Sequence, residues 1–222
     1  MKKIILACAV ALFFASLPIA CKKNDTTTTT ASCSDGIQNQ GETGVDCGGP
    51  CKACAKPLCE GKGSSSYMPL KDKNAWSYDP VAGNGSYTLT INGTKVYNSK
   101  TYFSIDWYYG SVSYSTLYYR TESNGDIYYY DDNSSTEYMY LPASPTVGQQ
   151  WAHGTGTFKV NSVNASKATS ACAYTGLLEI YVYDSSNTQT DTYYFKKGVG
   201  EVYRMGVGSF SFPYQLTAVT LN

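Results

Sequence analysis

Eight cysteines, four oxygen-bearing side chains in one glycine-rich loop and a single histidine are the residues whose types could carry chemistry. Cys47, Cys51, Cys54 and Cys59 are spaced closely enough to suit zinc, which takes thiolates at such intervals. The same residues suit disulfides if the chain is exported to an oxidising compartment. Its first residues point to export. Met1-Lys2-Lys3 is a short basic start, and Ile4 to Leu17 is apolar or small without charge. That stretch is shorter than the roughly 20 residues a spanning helix needs, so it reads as a secretory leader. Cys8 lies inside the leader and Cys21 just past it. Cys33, Cys47, Cys51, Cys54, Cys59 and Cys172 remain, an even number, and disulfides are the expectation over zinc. Five of them fall between Cys33 and Cys59, which leaves an odd one there. Cys172 is either its distant partner or a lone buried thiol. A bridge from Cys59 to Cys172 is favoured, stabilising by about 2–4 kcal/mol.

Asp35, Asn39, Glu42 and Asp46 supply hard oxygens in a loop with several glycines, which suits Ca²⁺ as the one cofactor to consider. The competing role is capping of turns by solvated acids and amides, and it is preferred. The spacing does not follow the EF-hand pattern. His153 is the only histidine and sits among Gly and Thr with no nucleophile beside it, as an exposed loop residue would. Asp131-Asp132 falls at an expected hairpin tip. Paired acids for glycoside hydrolysis would have to be assembled by strand topology. The expectation is that the protein is not an enzyme. With 17 basic and 17 acidic residues, the chain lacks the basic footprint of a nucleic-acid binder.

Leu17-Pro18-Ile19-Ala20-Cys21 resembles the bacterial lipobox, in which the cysteine is acylated and becomes the mature N-terminus. The resemblance implies a leader over residues 1–20, lipid attachment (palmitate and diacylglycerol) at Cys21, and a membrane as partner. More than one acyl chain makes such an anchor stable. An ordinary secretory signal cut near Ala20 is the alternative. Residues 21–32 continue as Lys-Lys-Asn-Asp and a threonine run, a disordered tether reaching roughly 30 Å if extended. Lysines directly after the lipidated cysteine resemble lipoproteins carried to the outer face of the bacterial outer membrane, and imply that location. Residues 33–60 form a disulfide-rich module, since Ile37 and Val45 alone cannot make a core. From Cys33 to Cys54 it resembles a short module of exported bacterial proteins, C-x-D-G-x-x-N-x-x-E-x-x-x-D-C-G-G-x-C-x-x-C.

What must position any site is the remainder, residues 66–222, rich in Tyr, Thr, Ser, Gly and Val. Period-two alternation marks strands: Tyr87, Leu89 and Ile91 on one face, then Phe103, Ile105 and Trp107. Asn92-Gly93 is expected to turn the chain, and Asn124-Gly125 to close a hairpin between Leu117–Thr121 and Asp126–Tyr130. Further strands are expected at Thr157–Val163, Leu177–Tyr183, Thr192–Phe195, Glu201–Met205 and Gln215–Leu221. The domain is all-β, a curved antiparallel sheet or incomplete barrel; a two-sheet sandwich is the alternative. Tyrosines on both faces, as at Tyr118-Tyr119 and Tyr128-Tyr129-Tyr130, require rings outside as well as inside.

Met68-Pro69-Leu70 with Trp76-Ser77-Tyr78, Leu141-Pro142 with Gly148-Gln149-Gln150-Trp151, and Tyr193-Tyr194-Phe195-Lys196-Lys197-Gly198-Val199-Gly200-Glu201-Val202 resemble, in this order, a group of exported bacterial β-domains. That resemblance implies an incomplete antiparallel barrel and brings no catalytic residue. Trp76 and Trp151 read as core anchors, Gly198 and Gly200 as a turn or bulge. The function expected is a lipid-anchored envelope protein, a non-catalytic surface binding or structural module. Its exposed tyrosines would take a glycan or a protein. The alternative is a carrier of a lipid or other apolar ligand in an open barrel.

Overall fold

The computed structural model describes residues 32–35, 37–42, 49–51, 57–83, 85–207 and 213–222. The chain divides into two compact units, Met1–Ala53 and Cys54–Asn222. The β unit therefore begins before residue 66 and takes Cys59 with it. Among the described residues its first element is a single helical turn, α1 (Pro57–Glu60), and twelve strands follow.

Those strands make one antiparallel sheet, curved into a nearly closed barrel. β1 (Ala75–Pro80), β2 (Tyr87–Tyr97), β3 (Lys100–Tyr109), β4 (Val112–Thr121), β5 (Ile127–Asp131) and β6 (Thr136–Leu141) form a meander. β7 (Gln150–His153), β8 (Gly156–Ala168), β9 (Ala173–Tyr183), β10 (Gln189–Lys196), β11 (Gly200–Gly206) and β12 (Tyr214–Thr220) form a second. The meanders join where β1 pairs with β12, from Ala75 opposite Thr220 to Pro80 opposite Tyr214. β6 and β7 are left as the two edges of the sheet. The sandwich alternative is set aside.

Alternation sorts the side chains. Tyr87, Ile91, Ile105, Phe158, Val160, Ile180, Phe195 and Leu216 are buried in one continuous core inside the barrel, with Leu89, Phe103 and Trp107 against it. Trp76 anchors β1 by donating its indole N–H to the carbonyl of Val199 at 2.6 Å. Gly200, at φ +118°, lies under that indole, and a Cβ there would stand 2.8 Å from Nε1. Gly198 turns the chain at φ +74° and donates its N–H to Ser66 O at 2.8 Å.

One expected turn is absent. β2 runs straight through Asn92-Gly93, and the chain reverses at Asn98-Ser99, both at positive φ. Asn92 and Gly93 together oppose Ser104 alone, because Ile91 pairs with Ile105 and Thr94 with Phe103. Gly93, at φ +79°, thus serves a bulge, the other local structure that needs a left-handed residue. Asn124-Gly125 does close its hairpin, with Gly125 N–H donating to Glu122 O at 2.9 Å.

The outer face explains the surplus tyrosines. Tyr97 and Tyr130 stack at 4.2 Å, and Tyr102 and Tyr118 meet Tyr97 edge-on. Beside them Arg120 donates to both carboxylate oxygens of Glu137, which also accepts from Lys100 and from the Tyr102 hydroxyl. Cross-strand pairing of this kind stiffens a sheet. It also covers the rings, leaving Tyr109 (47% exposed) and Tyr114 (72%) as the exposed tyrosines among the large hydrophobic residues.

Candidate ligand cavity

Inside the barrel lies a partly open cavity of about 400 Å³. Most of its wall is aromatic: Tyr78 and Tyr87 stack at 4.7 Å, Trp107 follows at 5.5 Å, and Tyr119, Tyr140 and Tyr193 complete the ring. Two ionisable side chains, Glu201 and Arg204, line it from β11. In a regular strand, residues three apart face opposite sides. Here Tyr203 pairs with Tyr194 and Glu201 with Phe195, so Val202 is an extra residue that restores both side chains to the inside. A strand read by simple alternation cannot place them together; the turn or bulge expected at Gly198 and Gly200 lies just before the extra residue, Val202.

Arg204 lies over the Tyr193 ring, 4.8 Å from its centroid, with Nε 3.6 Å from Asp191 Oδ1. Burial works against its charge, but Tyr193, Glu201, Tyr87 and Asp191 outweigh that and hold it protonated. Glu201 has no comparable support. It is half-buried among the residues that line the cavity, and its Oε1 is buried with no hydrogen-bond partner. Burial is the chief cause that lifts its pKa to about 7, against an opposing pull from Arg204. The backbone beside it is satisfied, because the Tyr78 hydroxyl donates to Glu201 O at 3.0 Å.

His153 is not an exposed loop residue. It ends β7 at the seam between the two sheet edges, where its Nδ1–H donates to Met139 O on β6 at 3.1 Å. Its ring lies 4.5 Å from Phe158 and 5.7 Å from both Tyr129 and Tyr140. The edges carry apolar rings into the gap, and the imidazole is drawn in with them. Burial is the main cause that lowers its pKa. A base with a depressed folded pKa contributes stability above about pH 6.5 that is lost as pH falls, since the unfolded chain takes the proton first. His153→Phe keeps the ring packing and is expected to flatten that acid-side loss. Melting temperatures of wild type and variant between pH 8 and 5 check it, read as their difference.

The cysteines partly fall into view. Cys33 is bonded to Cys51, and Cys59 to Cys172 across 113 residues. Two thiols of the zinc-like spacing, Cys51 and Cys59, are therefore already bonded elsewhere. Cys21, Cys47, Cys54 and Asp46 lie outside the described residues, as do the leader and the rest of the tether. In the small unit, Asp35 accepts from the N–H groups of Ser32 and Ile37 and from the Asn39 amide. Glu42 accepts from Asn39 N–H at 3.1 Å. Asp35, Asn39 and Glu42 so act as turn-capping groups, and any bid for Ca²⁺ would compete with these bonds. Asp131 likewise caps its hairpin tip, accepting from Ser134 Oγ and Asn133 N–H.

No protein-family model matches the chain, and no curated protein matches it. Two solved structures are similar. One, from Bacteroides fragilis, is of a protein thought to be exported and described as having a YMCC-like fold. It has 9% identity and a TM-score of 0.43, and the match covers 69% of this chain and 98% of that one. The other, from Parabacteroides distasonis, is of a protein taken to be a lipoprotein. It has 9% identity and a TM-score of 0.45, and the match covers 72% of this chain and all of that one.

Proposed function

We propose that this chain is a lipid-anchored protein of the bacterial cell envelope whose barrel receives a small ligand without transforming it. The observation that carries the reading is the aromatic cavity with Glu201 and Arg204 turned into it by one bulge. Building an ionisable pair into a barrel interior costs stability, and such irregularities cluster at sites of binding. The basic start, apolar leader and Cys21 support the anchor, and Lys22-Lys23 favours the outer surface of the outer membrane. The packing of the outer tyrosines upon one another disfavours a broad sugar- or protein-binding platform outside the barrel.

Native mass spectrometry of the full-length protein, extracted in mild detergent, tests this. A bound small molecule is expected to leave only on unfolding and to be missing from Val182→Trp, which fills the cavity from β9. Identical spectra for wild type and a folded Val182→Trp, with no bound mass in either, would remove the reading. Metabolic labelling with a fatty acid, lost in Cys21→Ser, is expected for the anchor.

A further inference from the structure

Nine large hydrophobic side chains of the β unit are exposed among the described residues, and six of them lie at one end of the barrel. In an antiparallel sheet successive connections alternate between the two ends. The connections β1–β2, β3–β4, β5–β6, β7–β8, β9–β10 and β11–β12 therefore share one end, where the exposed Thr155 and Asp184 border the cavity. Val81 follows β1, Tyr109, Val112 and Tyr114 flank the β3–β4 turn, and Met205 and Val207 lead into the β11–β12 connection. These three connections are neighbours, since the sheet runs β4-β3-β2-β1-β12-β11 there. Hydrogen bonds tie them: Val81 N–H donates to Pro213 O at 2.8 Å, and Gly110 N–H to Ser86 O at 3.3 Å. The arc also touches the cavity wall. The Tyr114 ring lies 5.1 Å from that of Trp107, and Val207 N–H donates to Thr190 O at 2.7 Å. Building on the reading of a lipid-anchored protein, we infer that this arc docks the barrel on a lipid bilayer of neutral headgroups, with the cavity mouth opening onto it.

Exposed apolar residues scattered singly need no explanation, whereas a contiguous group marks a surface that meets something apolar. Charge narrows the choice. No Asp, Glu, Lys or Arg occurs from Pro80 to Thr94, from Trp107 to Tyr119 or from Met205 to Asn222. The remaining connections of the same end carry Asp131, Asp132 and Asp184, none of them buried, and these oppose anionic lipid. An uncharged arc gives up no ion hydration on entering a bilayer, and tyrosine suits the interface because its ring is apolar and its hydroxyl polar. A second copy meeting this one mouth to mouth would bring the acids of two rims together. The length of chain ahead of the barrel allows the contact. It enters at the opposite end, where Cys59 is bonded to Cys172 in the β8–β9 connection. Cys21 to Cys33 and Cys51 to Pro57, linked by the Cys33–Cys51 bridge, reach roughly 60 Å when extended, against roughly 36 Å along the 11 residues of β2. A barrel held at Cys21 can turn its far end to the membrane that holds it.

The test uses the full-length protein in vesicles of phosphatidylcholine brominated along its acyl chains. A bimane label is placed on Val112→Cys, on Val207→Cys or, at the opposite end, on Val147→Cys; wild type taken through the same labelling sets the background. Bromine quenches only a label that enters the bilayer. Quenching of about twofold or more is expected at positions 112 and 207 and none at 147. It should be equal at about 50 mM and about 500 mM salt, since no charge is engaged. Val81→Asp combined with Tyr114→Asp is expected to abolish the quenching at 207, and quenching that survives the pair overturns the arc. The intact mass of the same protein reads its acyl chains independently. Acyl mass with unquenched labels overturns the docking and leaves the anchor standing; quenched labels without acyl mass do the reverse. Neither signal overturns both. Labels shielded from aqueous iodide yet unquenched by bromine would put protein on the arc in place of lipid, and so overturn the docking. Equal quenching at all three positions, or quenching lost at high salt, overturns it as well.

Discussion

Glu201→Gln is expected to raise stability at pH 8 by about 3 kcal/mol and to leave it nearly unchanged at pH 4. The carboxyl titrates near 7 in the folded protein, lifted chiefly by burial, against an ordinary value of about 4.5. A raised acid reverses the usual carboxylate behaviour. Between the two values the unfolded chain has released its proton while the folded chain still holds it, so stability falls as pH rises through that window. Above about 7 both states are ionised and the deficit is constant. Each unit of difference corresponds to about 1.4 kcal/mol, which sets the scale. Glutamine has the shape of the protonated acid and never ionises, so it removes the deficit. Urea unfolding of both proteins across pH 4 to 8 measures it. Parallel curves at a constant offset would mean that the carboxylate is not held in a sealed, unpartnered site.

Breaking the Cys59–Cys172 bridge is expected to cost about 3–5 kcal/mol. Its sequence separation is 113, and closing a loop of about that length removes much of the unfolded chain's freedom. The paired change Cys59→Ser with Cys172→Ser should therefore lower the melting temperature markedly, and reductant should do the same to wild type only. The segment before β1 should nonetheless remain docked. Tyr174 donates its hydroxyl to Leu58 O at 2.6 Å, and Ser66 O accepts from Gly198 N–H. Tyr67 is buried in the core, with Leu58, Met68 and Leu70 packed against it. Hydrogen exchange of residues 57–70 would show whether docking survives; unchanged melting would show that the crosslink constrains little.

The architecture was legible because alternation is local. Tyr87, Leu89 and Ile91 lie inside together, as do Phe103, Ile105 and Trp107, and curvature followed from tyrosine on both faces. Where alternation breaks, legibility ends. Asn92-Gly93 offers the same left-handed residue to a turn and to a bulge, and only pairing with β3 decides between them. At Glu201 to Arg204 the phase slips by one residue, and the two cavity side chains cannot be brought to one face from sequence. His153 looks like a loop residue because its neighbours are Gly and Thr; its surroundings come from β5, β6 and β8, which no local window contains. Counting leaves one of the five clustered thiols over without saying which; the favoured partner, Cys59, is the one bonded to Cys172. Composition changes near residue 66, whereas Leu58 and Cys59 already pack against the core of the strands.

The junction of β1 with β12 bears on how such a barrel can be assembled. A polypeptide threaded amino end first delivers β1 to β6 early, and each hairpin there can zip as it emerges. The partner that completes β1 is the last strand of the sheet to arrive, and it belongs at the sheet's centre rather than its margin. A chain cut before Tyr214 would thus lose the hinge pin between two half-cylinders, and the lesion expected is separation into halves rather than fraying at a rim.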